Sequence, residues 1–206
     1  MGISPVIGRE ILASFGMDPD TGCIDPRGPL VQASEEDEVI IAASILYRKG
    51  YPWDKAREIA DKAFKIALNL YSVEDLTKPL PEVRRVVARL KKAGLKTAVA
   101  TLDDYQRTLK VLDIIGVRDF FDCIVGKNDV KSTKPSPDMI FTICRKLHVV
   151  PEKTVMVGDS VNDMIMGKRA KVALTIGVLN GINSPDSFSS WADVTIHSLL
   201  EIEIRG

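Results

Sequence analysis

Residues 153–171 read KTVMVGDSVNDMIMGKRAK, and the change of texture inside that stretch decides the fold. KTVMVG (153–158) is a short, nearly all-apolar run, the pattern of a strand buried on both faces. The polar corner GDSVND follows at once, and NDMIMGKRAK (162–171) then has helical character. A strand that passes through a polar corner straight into a helix is half of a parallel βαβ unit.

The same alternation extends outward in both directions. ALTIGVL (173–179) is a further apolar strand, and SPDMIFTICRKLH (136–148) is a helix that precedes the central stretch. Before it come a strand DCIVG (122–126), a helix TLDDYQRTLKVLDIIG (101–116), a strand KTAVAT (96–101) and a helix PEVRRVVARLKKAG (81–94) ending in glycine. Apolar strands alternating with helices predict an α/β fold: a doubly wound, mainly parallel sheet covered on both faces.

Further upstream the period is helical throughout. PVIGREILASF (5–15) reads as a helix stopped by Gly16, DPDTG (18–22) as a loop, and TGCID (21–25) as a brief strand. SEEDEVIIAASILYRKG runs from a Ser34 cap through acidic first-turn residues to Gly50. WDKAREIADKAFKIALNLY (53–71) places Ile59, Ala63, Ile66 and Leu70 on one face. The expected organisation is an α/β core from residues 1–31 and 79–206, with a helical cap at 32–78.

Composition narrows the function classes. The 206 residues are 45% hydrophobic and 27% charged, ordinary for a globular chain. Lysine plus arginine and aspartate plus glutamate both number 28, so the basic excess of a nucleic-acid or anionic-membrane binder is missing. The longest apolar run, VIIAASIL (39–46), is too short to span a bilayer. No secretory signal pattern opens the sequence. Cys23, Cys123 and Cys144 are odd in number and widely spaced, which points to reduced thiols and a cytoplasmic setting rather than a disulfide framework or zinc site. His148, His197, Trp53 and Trp191 stand singly and read as structural.

In open α/β sheets ligands gather beyond the carboxyl ends of the strands. Asp25, Thr101, Lys134 and Asp159 stand at those places. Each has a bland alternative: Asp25 opens a well-formed Asp-Pro-Arg-Gly turn, Thr101 or Asp159 caps a helix, and Lys134 is a loop lysine. As a set, two carboxylates, a hydroxyl and an ammonium are what a hard cation and a phosphate need together.

At this point the chain resembles a family. VMVGDSVNDMIMGKRA is similar to the fourth motif of the haloacid dehalogenase (HAD) superfamily, an apolar strand followed by GDSxxD and a helix. GKNDVKSTKPSPDMI resembles its third motif, with the lysine of a KP-x-PD segment. KTAVATLDD resembles the second, a strand ending in Thr or Ser, and ALTIGVLNG with SWADVTIHSLLEI resembles the tail of its phosphatases. The likeness covers about residues 80–200. It implies a phosphohydrolase that acts on a small phosphorylated metabolite through an aspartyl-phosphate, with a helical cap between the first and second motifs. By that resemblance Asp25 is the nucleophile, and Thr101, the Leu102 backbone and Lys134 bind the phosphoryl group. Asp25, the Arg27 carbonyl, Asp159 and Asp163 hold Mg²⁺.

The first motif departs from the family pattern. IDPRGPLV (24–31) aligns with DxDGTLV, but the second Asp, the family's general acid–base, is Arg27, and the Thr is Pro29. A guanidinium neither donates nor accepts protons near neutrality. Loss of a general acid–base costs about 10²–10⁴ in rate, so a slow or substrate-restricted enzyme is expected. The alternatives are a HAD-like protein that binds a phosphorylated ligand or partner without turnover and, third, a dehalogenase. Asp18 and Asp20 in DPDTG have the DxD spacing and stand as a rival position for the nucleophile.

Overall fold

Helical spacing dominates the first third of the chain, and helices form there. In the computed structural model, which describes residues 4–25, 27–70, 77, 81–179, 185–188 and 190–204, the chain divides into two units, Met1–Ser72 and Val73–Gly206.

The first unit holds α1 (Pro5–Ser14), α2 (Pro29–Gln32), α3 (Glu35–Arg48) and α4 (Trp53–Leu70). Pro5 opens α1, where its missing N–H costs nothing. Gly16 follows the helix at φ +83°, a conformation that favours glycine. Ser34 caps α3 in a reciprocal box: its Oγ accepts from Asp37 N, and Asp37 Oδ2 accepts from Ser34 N, both at 3.2 Å. Glu35, Glu36, Asp37 and Glu38 fill the first turn, where negative charge suits the helix dipole.

The core of this unit is Phe15, Val39, Ala42, Ala43, Leu46, Ala56 and Ala60. Its four alanines let α3 and α4 approach closely, and the ring of Phe64 meets Phe15 edge-on at 5.9 Å. This packing draws residues 4–31 into the helical unit, so the units divide the chain differently from the expected 1–31 and 79–206 core. The physical reason is Phe15, whose ring is buried among α3 and α4 and whose carbonyl accepts from Leu30 N at 2.9 Å. TGCID also differs from the expected strand. Only Ile24 pairs, in a single antiparallel bridge with Met17. The expected boundary at 78/79 lies outside the described residues.

The second unit carries the alternation read from the sequence. In order it holds α5 (Pro81–Lys92), β1 (Ala98–Ala100), α6 (Tyr105–Ile114), β2 (Cys123–Val125), α7 (Asp138–Leu147) and β3 (Val155–Gly158). Then come α8 (Val161–Ala170), β4 (Leu174–Val178), α9 (Pro185–Phe188) and β5 (Val194–Ile196). β1 and β2 pair in parallel, Ala98 opposite Cys123; β3, β4 and β5 form a second parallel group in that order.

Helices cover both faces. Met139, Ile140 and Cys144 of α7 and Met166 and Ala170 of α8 pack against Cys123 and Val125 on one side. On the other, Val87 of α5, Leu112 of α6 and Val117 enclose Val99 and Ile124. This is the doubly wound α/β arrangement expected from the sequence. Cys123 and Cys144 are buried free thiols, and burial raises both pKa values.

One side-chain network joins β4, α8 and the start of β5. Thr175 is fully buried, and Asp193 Oδ2 accepts from its N and its Oγ1, each at 2.8 Å. The other oxygen of Asp193 pairs with Lys168. The Lys168 ammonium, followed by the Thr175 donors, holds the Asp193 carboxyl at about 2. A lowered folded-state pKa gives stability that is present above the unfolded value of about 4 and lost as pH falls through the folded value. Urea midpoints of the native protein should therefore drop between about pH 4 and pH 2, and the Asp193→Asn variant should show a shallower drop over that window.

Candidate active site

The corner GDSVND builds itself from local chemistry. Ser160 is the N-cap of α8, and its Oγ accepts from Asp163 N at 3.2 Å. Asp163 Oδ2 reaches back to Ser160 N at 3.2 Å and Ser160 Oγ at 2.9 Å, closing a capping box. The cap is Ser160, not Asp159, which stands exposed beyond the carboxyl end of β3. Gly158 makes room for this fold-back. A Cβ there would lie 2.5 Å from both Asp163 Cβ and Cγ, closer than side chains pack.

Asp163 is 3% exposed, and its Oδ1 has no aligned hydrogen-bond donor. Lys134 Nζ meets that oxygen at 2.6 Å as an ion pair, with the two side chains 12% and 5% exposed. A carboxylate this deep requires such a countercharge. Lys134 therefore is not the exposed loop lysine of its bland reading.

Several bonds hold the loop that carries Lys134. Asp138, at the start of α7, accepts from Ser136 Oγ at 2.9 Å and from Ser132 N at 3.3 Å. Arg169, in the last turn of α8, donates to Pro135 O at 3.1 Å. The Lys134–Pro135 peptide is cis. Sequence reasoning did not single out Ser160, Asp138 or Arg169. The S-x-x-D spacing signals the first, since it is a capping-box pattern. No local pattern marks Arg169, whose partner lies 34 positions away.

Thr101 follows β1, its N–H donating to Val125 O at 3.0 Å and its Oγ1 accepting from Asp103 N at 3.1 Å. The cap of α6 is Asp104, which accepts from Arg107 N, so Thr101 is not spent on capping. Leu102 is half-buried in the same turn. Gly126 lets the turns after β1 and β2 close together: a Cβ there would stand 2.8 Å from Asp103 O, and Lys127 N donates to that carbonyl at 3.1 Å. Thr101, Lys134, Asp159 and Asp163 thus all follow the carboxyl ends of parallel strands in the second unit.

Asp25 belongs to the first unit. Its Oδ1 accepts from Arg27 N at 2.9 Å and from Arg27 Nε at 3.2 Å, an Asx-type turn. The Arg27 backbone N–H first, and its guanidinium second, lower the Asp25 pKa. Pro26 lies outside the described residues. The rival pair is also engaged. Asp18 Oδ1 accepts from Asp20 N at 2.8 Å and Thr21 N at 3.1 Å, while Asp20 pairs with Arg9 at 2.5 Å.

Magnesium keeps several waters and uses one or two protein carboxylates with substrate phosphate oxygens. Among the described residues no three ligating side chains gather into a cage. Asp159, exposed at the strand end, suits that partial coordination, whereas both oxygens of Asp163 are engaged, one by Ser160 and one by Lys134. Because Gly158 is required for Asp163 to fold back, Gly158→Ala should destabilise the protein by about 1–3 kcal/mol through overpacking. In contrast Gly8→Ala, with nothing within 4 Å of the added carbon, should be neutral or stabilising in urea unfolding.

The chain is similar to known proteins over most of its described length. The family model "haloacid dehalogenase-like hydrolase" matches residues 27–171. A phosphoglycolate phosphatase of Psychrobacter arcticus is 32% identical over 130 residues, covering 62% of this chain and 56% of its own length. Hexitol phosphatase B of Escherichia coli is 31% identical over 157 residues, covering 75% and 69%. A haloacid dehalogenase-like hydrolase structure from Bacteroides fragilis superposes with a TM-score of 0.72 at 23% identity, covering 94% of this chain and 88% of that one. The matched region spans about half the length of the phosphoglycolate phosphatases of Psychrobacter arcticus and Aquifex aeolicus. Since the family model covers residues 27–171, well over half of the 206, the chain belongs to the haloacid dehalogenase-like hydrolases.

Proposed function

We propose that this chain is a Mg²⁺-dependent phosphohydrolase acting on a small phosphorylated metabolite through an aspartyl-phosphate. The observation that supports it best is the buried Lys134–Asp163 pair at 2.6 Å beyond the strand ends. In this reading the Lys134 ammonium, the Thr101 hydroxyl and the Leu102 N–H receive the phosphoryl oxygens. Asp159 binds Mg²⁺ directly and Asp163 through water, with Asp25 and the Arg27 carbonyl completing the set. The cation, when bound, offsets phosphate charge during transfer. Asp163 holds the Lys134 ammonium in place.

Asp25 is the nucleophile in this reading. One of its oxygens bonds to phosphorus while the bond from phosphorus to the leaving oxygen breaks, giving an aspartyl-phosphate that water then hydrolyses. Attack requires Asp25 to leave Arg27. That pair is exposed to solvent and weak, so its release is cheap. Arg27 supplies no proton to the departing oxygen. The leaving group must depart as an anion, which favours aryl and acyl phosphates over alkyl ones.

A second reading is favoured by the Asp25–Arg27 geometry itself: a carboxylate spent on its own turn attacks nothing, and the site then binds a phosphorylated ligand without turnover. An assay separates the two, using p-nitrophenyl phosphate, acetyl phosphate, phosphoglycolate and a hexitol phosphate with and without Mg²⁺. The enzyme reading expects Mg²⁺-dependent release of phosphate, fastest from the first two. It also expects Asp159→Asn, Lys134→Met and Asp25→Asn each to lower the rate by about 10²–10⁴. Full activity in Asp25→Asn removes that residue as nucleophile. Phosphate binding without turnover on any substrate supports the second reading.

A further inference from the structure

A lysine side chain is a long, flexible stem, so the stem of Lys134 does not by itself fix where the ammonium stands. The contacts around it divide that work. Asp138 acts locally: it opens α7 directly after the loop and bonds to Ser132 N and Ser136 Oγ, one on each side of Lys134. Together with the bond from Ser136 N to Thr133 O at 2.8 Å, these contacts shape the loop internally without tying it to α8. The tie to α8 is made by the Lys134–Asp163 pair and by the bond from Arg169 Nη1 to Pro135 O.

Both partners stand on one helix. Asp163 lies in the first turn of α8 and Arg169 in its last, six residues or about 9 Å apart along the axis. Asp163 grips Lys134 by its ammonium, and Arg169 grips the next residue by its carbonyl. A single rigid element thus sets both the tip of the lysine and the backbone it springs from. A basic residue in the last turn of a helix has a simpler role, offsetting the negative end of the helix dipole. Lys168 already fills that role in the same turn, and its ammonium pairs with Asp193. The dipole requires only a nearby charge, not an aligned donor on a carbonyl 34 positions back in the chain.

We propose that Arg169 is a positioning residue for Lys134: by holding Pro135 O it fixes the backbone from which the ammonium reaches Asp163, and so directs that ammonium at a bound phosphoryl group. The second half of this statement rests on the function proposed above. An ammonium has three donors. One faces Asp163, which leaves two for phosphoryl oxygens, and the direction of the stem sets where those two point. Release of Pro135 lets the loop pivot about the buried pair and turns them aside. A misplacement of about 1 Å costs up to about 10²-fold in rate. The Arg169–Pro135 bond is itself exposed, so its loss loosens the loop without unfolding the chain.

The test compares the full chain with its Arg169→Met, Lys168→Met and Lys134→Met variants. Without any ligand, acylation by acetic anhydride is followed at each lysine by mass spectrometry, with the exposed Lys131 of the same loop as internal standard. Arg169→Met should raise the rate at Lys134 about fivefold or more relative to Lys131, and Lys168→Met should leave it unchanged. In turnover, kcat/KM for p-nitrophenyl phosphate with Mg²⁺ should fall about tenfold in Arg169→Met. Added to Lys134→Met, the same change should cost nothing further, because a residue that acts through Lys134 then has nothing left to position. The proposal is overturned by an unchanged acylation rate, by an equal rise in Lys168→Met, by an unchanged kcat/KM in an active enzyme, or by a full further loss in the double variant. Should Lys134→Met fail to fold, the acylation rates and the single Arg169 variant decide. Acylation that responds as expected in a chain without turnover upholds Arg169 as the positioning residue of Lys134 and removes only the phosphatase reading.

Discussion

The contact on which the α/β unit depends is the ion pair between Lys134 and Asp163. Asp163 is needed twice. One oxygen caps α8 through Ser160, and the other faces a lysine from a loop that follows a different strand. Both charges are removed from water, so each makes the other tolerable; loss of either partner leaves a buried charge uncompensated, at about 3–5 kcal/mol. Everything around the pair serves that geometry. Gly158 is bare so that the carboxylate can fold back. Asp138 and Arg169 hold the loop so that the ammonium arrives from one direction. Structure and the proposed chemistry coincide here: the rigidity that a buried pair imposes is what the phosphate-binding role proposed for Lys134 needs.

The carboxylates of the first unit show the opposite condition. Asp18, Asp20 and Asp25 are exposed, and each is satisfied by backbone or arginine donors within its own unit. Exposed pairs of this kind contribute little to stability and break easily. Asp25 is thus a turn residue by its contacts in the folded chain, while the low cost of releasing Arg27 leaves its carboxylate available in principle to chemistry. The helical unit gains its stability elsewhere, from Phe15 and Leu46 against the alanine-rich faces of α3 and α4.

How much of this was legible in the sequence follows from the range of each interaction. Helices were readable because their signals are local. Ser34 and its acidic turn, the amphipathic face of α4 and the glycines after α1 and α3 act within a few residues. Parallel strands were readable because burial on both faces leaves apolar runs. The SVND corner contains its own cap, although the capping residue is Ser160 rather than Asp159. TGCID misled because short segments of mixed character depend on what lies beside them. Its neighbour is Met17 in the preceding turn, not a strand of the sheet.

By itself, then, the sequence determined the alternation of strands and helices, the parallel sense that short crossover connections require, and the presence of Thr101, Lys134, Asp159 and Asp163 at strand ends. Only the tertiary structure decided which groups meet. Lys134 and Asp163 are 29 positions apart, Arg169 and Pro135 are 34 apart, and Phe15 captures the amino-terminal segment from across two helices. Such contacts are chosen by burial and by the demand that every buried charge find a partner. Those demands act in space between residues that no local pattern connects.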